Sequence, residues 1–558
     1  MVKIPGIGKI DLEKLDKEAS KIAKLFSKAS RSDALRKIVE SQGKIPVLTK
    51  EREISVRALR PDTKRFHGCK VPLSYFPQSQ VNSPCADTYG YLAPKDVRDA
   101  TKLPFDEPTK KLLEDLGSFM GNSAPAGDSA IPAGYTYFGQ FVDHDITLDV
   151  SSTLDAEQDA TKINNMRSPS LDLDSLYSRG PALSAFIYAF PTSAEPPSAI
   201  RFQLGSNQAS GVGGPGGPAG FGGMVVQTAF DVPRVVNPLN PGLSTNTAII
   251  GDPRNDENLI VSQFHRAMLR FHNKVVDDLI VLAFPGDIFA EAKRVVTHHY
   301  QWAVVHDYLK RICGQPAVTA ALALPVAVGS PFSMPVEFAV AAYRFGHSMI
   351  RDRYWVSFVQ PGASLGDVFA FIRNPLIPVL SNWVVDFNAF FTTGIGVPVN
   401  NKAMKIDSAL AAGLSSLPGG TGMMAVLAAR NLRRGQAFGL PSGQGVAGFF
   451  GVPPMTAAQL TQGLSAGEAA LLNSNGGILL QKTPLWYYVL REAAVIGNGE
   501  QLGPVGGRIV AETFVRMLKR DATSYLNANP AFAPGLTSAV PGDFTVADLV
   551  NYAGVTVP

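Results

Sequence analysis

The chain has 558 residues, with 51 Lys+Arg against 47 Asp+Glu for a formal net charge of +4, and only 18% of its positions are charged. So small and unclustered a basic surplus argues against nucleic acid as a partner. An apolar content of 45% without blocks of like charge implies a folded chain with a large core.

Three cysteines, Cys69, Cys85 and Cys313, form neither a disulfide framework nor a zinc or CxxC motif; a Cys69 to Cys85 bridge stays open for an exported chain. The N-terminal run MVKIPGIGKIDLEKLDKE lacks the apolar core of a signal peptide, so cytoplasmic residence or a non-classical export route is expected. The longest uncharged stretches, 408–429 and 435–466, are broken by Gly, Pro, Ser and Thr and do not read as membrane spans.

In chain order, residues 11–41 are rich in helix formers with apolar residues at helical spacing, and 45–105 are Pro-rich and irregular. Residues 1–105 therefore read as a helical arm with an irregular extension, and 106–558 as the body. Residues 205–223 hold nine glycines and two prolines, which predicts a surface loop; without a Walker lysine or strand-helix flanks it is no phosphate cradle. From about Glu257 to Phe284 the residues Ile260, Val261, Phe264, Met268, Phe271, Val275 and Leu279 mark one helix face, ended by Pro285-Gly286. A second helix is predicted from about Ile288 to Cys313, closed by Gly314. Period-2 alternation is scarce. The predicted fold is mainly α, one large helical domain with long Gly/Pro-rich loops and little β structure.

Four strings carry chemistry. In GQFVDHDITLD, Gly139 to Asp149, a helix puts Gln140 and His144 on one face and splays Asp143 and Asp145 to either side. Carboxylates so placed cost stability unless something positive or covalent meets them. In SPSLDLDS, residues Ser168, Ser170, Asp172 and Asp174 alternate, so an extended loop turns hard oxygens to one side for calcium, with Asp145 as a further carboxylate. An Asp-rich turn is the plainer reading.

In GDPRNDEN, Gly251 to Asn258, Asp252, Asp256 and Glu257 suit capping near a helix N-terminus, whereas the cation Arg254 is unfavourable there unless an anion or a developing negative charge needs it. In YRFGHSMI, Tyr343 to Ile350, Gly346 beside His347 lets a planar group such as a haem come close to the backbone; a buried core histidine is the alternative. The pairs His265 with His272 and His299 with His306 each share a helix face but lack an acid to complete a metal set. His67 and His298 carry no signal.

In this order and spacing, with ARNLRRGQAFGLPSGQ (Ala429 to Gln444) as a fifth string, the sequence resembles the animal-type haem peroxidases of the peroxidase-cyclooxygenase superfamily, which includes myeloperoxidase, and its bacterial branch. The resemblance spans roughly residues 110 to 520. It implies a hydrogen-peroxide-dependent enzyme that oxidises small organic donors or halide through a ferryl intermediate. His144 then matches the distal histidine, Arg254 the distal arginine and Gln140 a residue of the halide and water pocket. His347 matches the proximal iron ligand, Asn431 the acceptor of its imidazole N–H, and Arg344 an arginine facing a haem propionate.

Asp143 and Glu257 match the acids that esterify the haem, which implies covalently held haem b. Asn258 replaces the methionine that forms a sulfonium link in myeloperoxidase, so that bond is excluded. Asp145, Ser168, Ser170 through its carbonyl, Asp172 and Asp174 match a calcium site. A fatty-acid dioxygenase is the alternative within the superfamily, but its radical-forming tyrosine belongs three residues before the proximal histidine, where Arg344 stands; Tyr343 is one place further back. A non-catalytic adhesion or matrix protein on the same scaffold is the other.

Overall fold

A computed structural model describes residues 88–206, 229–235, 246–373, 378–394, 401–417 and 420–556, together with four short strands nearer the N-terminus. The expected helical arm at 11–41, Cys85, His67 and most of the glycine loop lie outside the described residues.

The chain divides into two compact units, Met1–Asp62 and Thr63–Pro558. In the first, Val2–Ile4 pairs antiparallel with Gly8–Ile10. The second opens with Thr63–Phe66 paired antiparallel to Cys69–Pro72 and is otherwise built mainly from helices. The Leu92 and Ala93 amides donate to the carboxylate of Glu337 at 2.9 and 3.1 Å, which ties residues 92 and 93 to the π turn that carries Glu337.

Seven helices position the site: α1 (Glu107–Asn122), α2 (Gly134–Ile146), α3 (Leu259–Val281), α4 (Ile288–Ala303), α5 (Leu427–Ala437), α6 (Leu485–Val495) and α7 (Pro504–Arg520). Side-chain oxygens start three of them. Asp106, Asn258 and Asp287 accept from the third backbone N–H of α1, α3 and α4, at 2.9, 2.9 and 3.0 Å. The expected face of α3 is buried from Ile260 to Val275, with Leu279 partly buried against the core.

The helix predicted from Ile288 to Cys313 runs the expected length, but Val304–Tyr308 is a π turn within it. Gly314 then takes a positive φ of 78°, which a side chain disfavours. The strands of this unit are two to five residues long and lie in two-stranded pairs, such as Asp128–Pro132 with Lys402–Met404. The architecture is mainly α. No helix among the described residues is long and apolar enough to cross a membrane.

The core surrounds α2. Phe138 and Phe141 meet Phe264 of α3 edge-on, and Phe138 also meets Tyr300 and Tyr308. Helices α1 and α5 cross so tightly that a Cβ on Gly117 would stand 2.5 Å from the Ala429 backbone nitrogen. Gly117→Val is therefore expected to cost at least the roughly 1–3 kcal/mol typical of overpacking, read as a lower denaturant midpoint with an unchanged slope.

Candidate active site

His144 is fully buried near the end of α2. Its Nδ1 lies 2.8 Å from the Asn255 side-chain oxygen, which can only accept, so Nδ1 carries a proton, and in the neutral ring the lone pair falls on Nε2. Nε2 is buried with no hydrogen-bond partner and stands 3.6 Å from a Glu257 carboxylate oxygen. One turn earlier on the same face, Gln140 donates its amide N–H to that Glu257 oxygen and accepts from Asn258 Nδ2 at 3.0 Å. The predicted sharing of a helix face is thus realised, and Glu257 and Asn258 close the cluster.

The flanking acids splay as expected. Asp143 accepts from the Thr147 hydroxyl at 2.8 Å. Asp145 points the other way and is buried, with carboxylate oxygens within 4.8 Å of those of Asp172 and Asp174. Burial first, and then the negative charges of Asp174 and Asp172, push the Asp145 carboxyl far above the usual range. Asp172 and Asp174 are raised as well, burial again leading. Around them, the amides of Leu173 and Ser175 and the hydroxyls of Ser175 and Tyr300 donate to Asp145, and the Ser168 amide donates to Asp174. Ser170 is partly buried on the same loop.

Arg254 sits on a separate 3₁₀ turn, Pro253–Asp256, ahead of α3. The anion it needs is Asp252, whose carboxylate it meets at 2.8 Å, while its Nη1 and Nη2 donate to the carbonyls of Thr147 and His144, each at 2.8 Å. A cation at those C-terminal carbonyls is favourable and fastens the backbone of His144. Burial alone would raise the Asp252 pKa, but Arg167 and Arg254 hold it far below the usual carboxylate range. Asp256 is taken by Arg234 at 2.8 Å.

His347 occupies a 3₁₀ segment, Ala342–Met349, which follows a π turn at Glu337–Ala341, rather than an α-helix. Residues three apart eclipse on a 3₁₀ turn, so Arg344 and His347 project together and both reach Asn431 of α5. Here the expected bond is reversed. Arg344 Nη1 donates to Asn431 Oδ1 at 2.8 Å, which leaves Asn431 Nδ2 facing His347 Nδ1 at 2.8 Å as the donor. An arginine cannot accept, so it fixes the amide this way round. Burial, then the charges of Arg344 and Arg430, lower the His347 pKa to about 3. A Cβ on Gly346 would meet no atom within 4 Å.

The other histidines are bonded into the fold: His272 to Tyr177 and Ile200, His298 to Thr523, His299 to Val295 and His306 to Tyr525. His265 differs, since its Nδ1 lies 3.1 Å from the Asn255 amide nitrogen that backs His144. Neither Asn255 nor His265 is marked out by the sequence, where the asparagine reads as one more polar residue before a helix.

The sequence pattern of the animal haem peroxidases matches residues 232–536. The chain belongs to that family. A peroxidase-like protein of Margaritifera margaritifera is 33% identical over 131 residues, which is 21% of this chain and only 16% of that relative. Among solved structures, peroxidase A of Dictyostelium discoideum shares the fold with a TM-score of 0.52 at 16% identity, over 76% of this chain and 84% of its own. A fatty acid alpha-dioxygenase of Oryza sativa shares it with a TM-score of 0.52 at 12% identity, over 90% of each chain. The fold is thus shared by a peroxidase and a dioxygenase.

Proposed function

We propose that the chain is a hydrogen-peroxide-dependent haem peroxidase acting on small organic donors or halide. The observation that carries this is His144: an imidazole whose Nδ1–H is bonded and whose Nε2 is buried and unpartnered is a base waiting for a proton. Nε2 takes the proton of bound peroxide and returns it to the departing oxygen, so one group serves as base and then acid. Arg254 holds the backbone of His144 and offers positive charge where negative charge develops. Gln140 is placed by Glu257 and Asn258 to order small ligands beside Nε2.

The residues fit haem. Burial keeps His347 neutral, the state in which an imidazole binds iron, and the space beside Gly346 admits a planar group. Haem held by His347 supplies the iron that binds peroxide and the oxidising equivalents passed to the donor. Ligation through Nε2 would need the proton on Nδ1, with Asn431 then turned to accept it and Arg344 free to hold an acidic group of the haem. The acid triad fits calcium, since a buried carboxylate and two partly buried ones that repel one another call for a dication.

Asp143 and Glu257 are proposed to esterify the haem, while Asn258 is occupied as the cap of α3. After peroxide treatment, acid-acetone extraction is expected to leave haem on the wild-type chain. It should release more from Asp143→Asn and Glu257→Gln, and complete release from wild type would end the ester assignment.

A fatty-acid dioxygenase is the second reading, favoured by the shared fold and by the buried Tyr343, whose hydroxyl donates to the Gly139 carbonyl at 3.2 Å beside Gln140. Absorption spectra before and after one equivalent of peroxide, run alongside oxygen uptake with a long-chain fatty acid, separate the readings. A Soret band that changes with peroxide, with donor turnover and no oxygen uptake, supports the peroxidase. Oxygen uptake that requires Tyr343 supports the dioxygenase, and no Soret band after haem supplementation leaves the scaffold reading.

A further inference from the structure

We infer that His265 is a positioning residue that sets the proton-accepting form of His144 by orienting Asn255; the inference rests on His144 acting as the base. The three side chains form one line through a fully buried part of the protein. Asn255 Oδ1 accepts from His144 Nδ1 at 2.8 Å, and Asn255 Nδ2 donates to His265 Nδ1 at 3.1 Å.

An amide is a directional link, an acceptor at one end and a donor at the other. With a lone pair on His265 Nδ1, Asn255 must turn its N–H toward it and its carbonyl toward His144. Nδ1 of His144 then carries the proton and Nε2 is left to take one. Turn the amide over and His144 Nδ1 must accept instead, which puts the proton on Nε2, where it can give a proton but not take one. The backbone cannot relieve the choice, because Asn255 sits on the rigid Pro253–Asp256 turn with its own N–H bonded to the Asp252 carbonyl at 3.0 Å.

Burial keeps His265 neutral, so one ring nitrogen carries a lone pair, and the Asn255 amide 3.1 Å away meets it at Nδ1, at the cost of leaving the Nε2–H without a partner. The His265 ring lies 6.0 Å from that of Phe141. An orphaned buried N–H costs about 1–3 kcal/mol. A position serving only to pack would be better filled by leucine. The polar ring is explained by the nitrogen it turns to Asn255.

The test compares His265→Asn, which places an amide oxygen near Nδ1, with His265→Gln, which keeps polarity but lacks an acceptor there. In haem-free protein with labelled histidine, nitrogen NMR is expected to show His144 in one tautomer, protonated at Nδ1, in the wild type and His265→Asn, and in a mixture in His265→Gln. In haem-loaded enzyme, kcat/KM for peroxide should fall roughly ten- to hundredfold in His265→Gln, within what a general base contributes, and recover in His265→Asn. The effect of His265→Gln should vanish in an Asn255→Ala background, as it must if His265 acts through Asn255. An unchanged His144 tautomer in His265→Gln, or equal losses in both variants, would overturn the inference. A wild type with a single tautomer but no peroxide turnover would instead discard the peroxidase reading and leave the relay standing.

Discussion

Replacing His144 by glutamine is expected to lower kcat/KM for hydrogen peroxide by about 10²–10⁴, the contribution of a positioned acid-base group. At about 1.4 kcal/mol per decade this is roughly 3–5 kcal/mol of barrier. Glutamine can keep a contact with Asn255 and fill much of the imidazole's space, so the buried cluster of Gln140, Glu257 and Asn258 should persist. What it cannot do is accept a proton near neutral pH. Haem content and the Soret band of the resting variant should match wild type, because His347 and Asn431 lie on other elements. Stopped-flow reaction with peroxide reads the effect directly. A variant within threefold of wild type would remove His144 as the base.

The parts of this site that could be read from sequence are those whose geometry is local. Helical periodicity alone places Gln140 beside His144 and turns Asp143 and Asp145 apart, and alternation in SPSLDLDS points to Asp172 and Asp174 as neighbours, whereas their meeting with Asp145 is made by the fold. The parts that could not be read depend on bonds between distant segments. Arg254 looked like a cation without a partner because its carbonyl acceptors belong to α2, and Asp252 beside it already had a capping role. His265 offered only a helix face, since its partner Asn255 is defined by a 3₁₀ turn rather than by periodicity. At Asn431 the family likeness identified the contact with His347 but not its direction, which is set by Arg344 through an eclipsed geometry that α-helical spacing does not anticipate. The π turns at Val304–Tyr308 and Glu337–Ala341 have no sequence signal that we can identify.

Removing the calcium proposed for the acid triad is expected to damage both stability and catalysis. Without a dication, the buried Asp145 and the partly buried Asp172 and Asp174 stand with carboxylate oxygens within 4.8 Å of one another, with Arg167 meeting Asp174 at 3.2 Å. An uncompensated buried charge costs about 3–5 kcal/mol, which corresponds to a drop in Tm on the order of 5–10 °C at a fixed scan rate. The pH dependence follows from the direction of the shifts. Each carboxyl has a folded pKa above its unfolded value, so in metal-free protein its contribution to stability is present at low pH and is lost as pH rises through the folded value. Calcium needs the charged form, so it competes with those protons. Chelation at pH 8 should therefore lower Tm and added calcium restore it, while at pH 5 the gap between the two forms should narrow. Asp172→Ala should melt early and respond weakly to calcium. Because Asp145 adjoins His144 on α2, the calcium-free enzyme should also lose peroxide turnover at temperatures below its melting transition. Protein shown by metal analysis to be free of calcium, yet melting with the loaded form at pH 8, would mean that hydrogen bonds from Leu173, Ser175 and Tyr300 suffice to hold the triad.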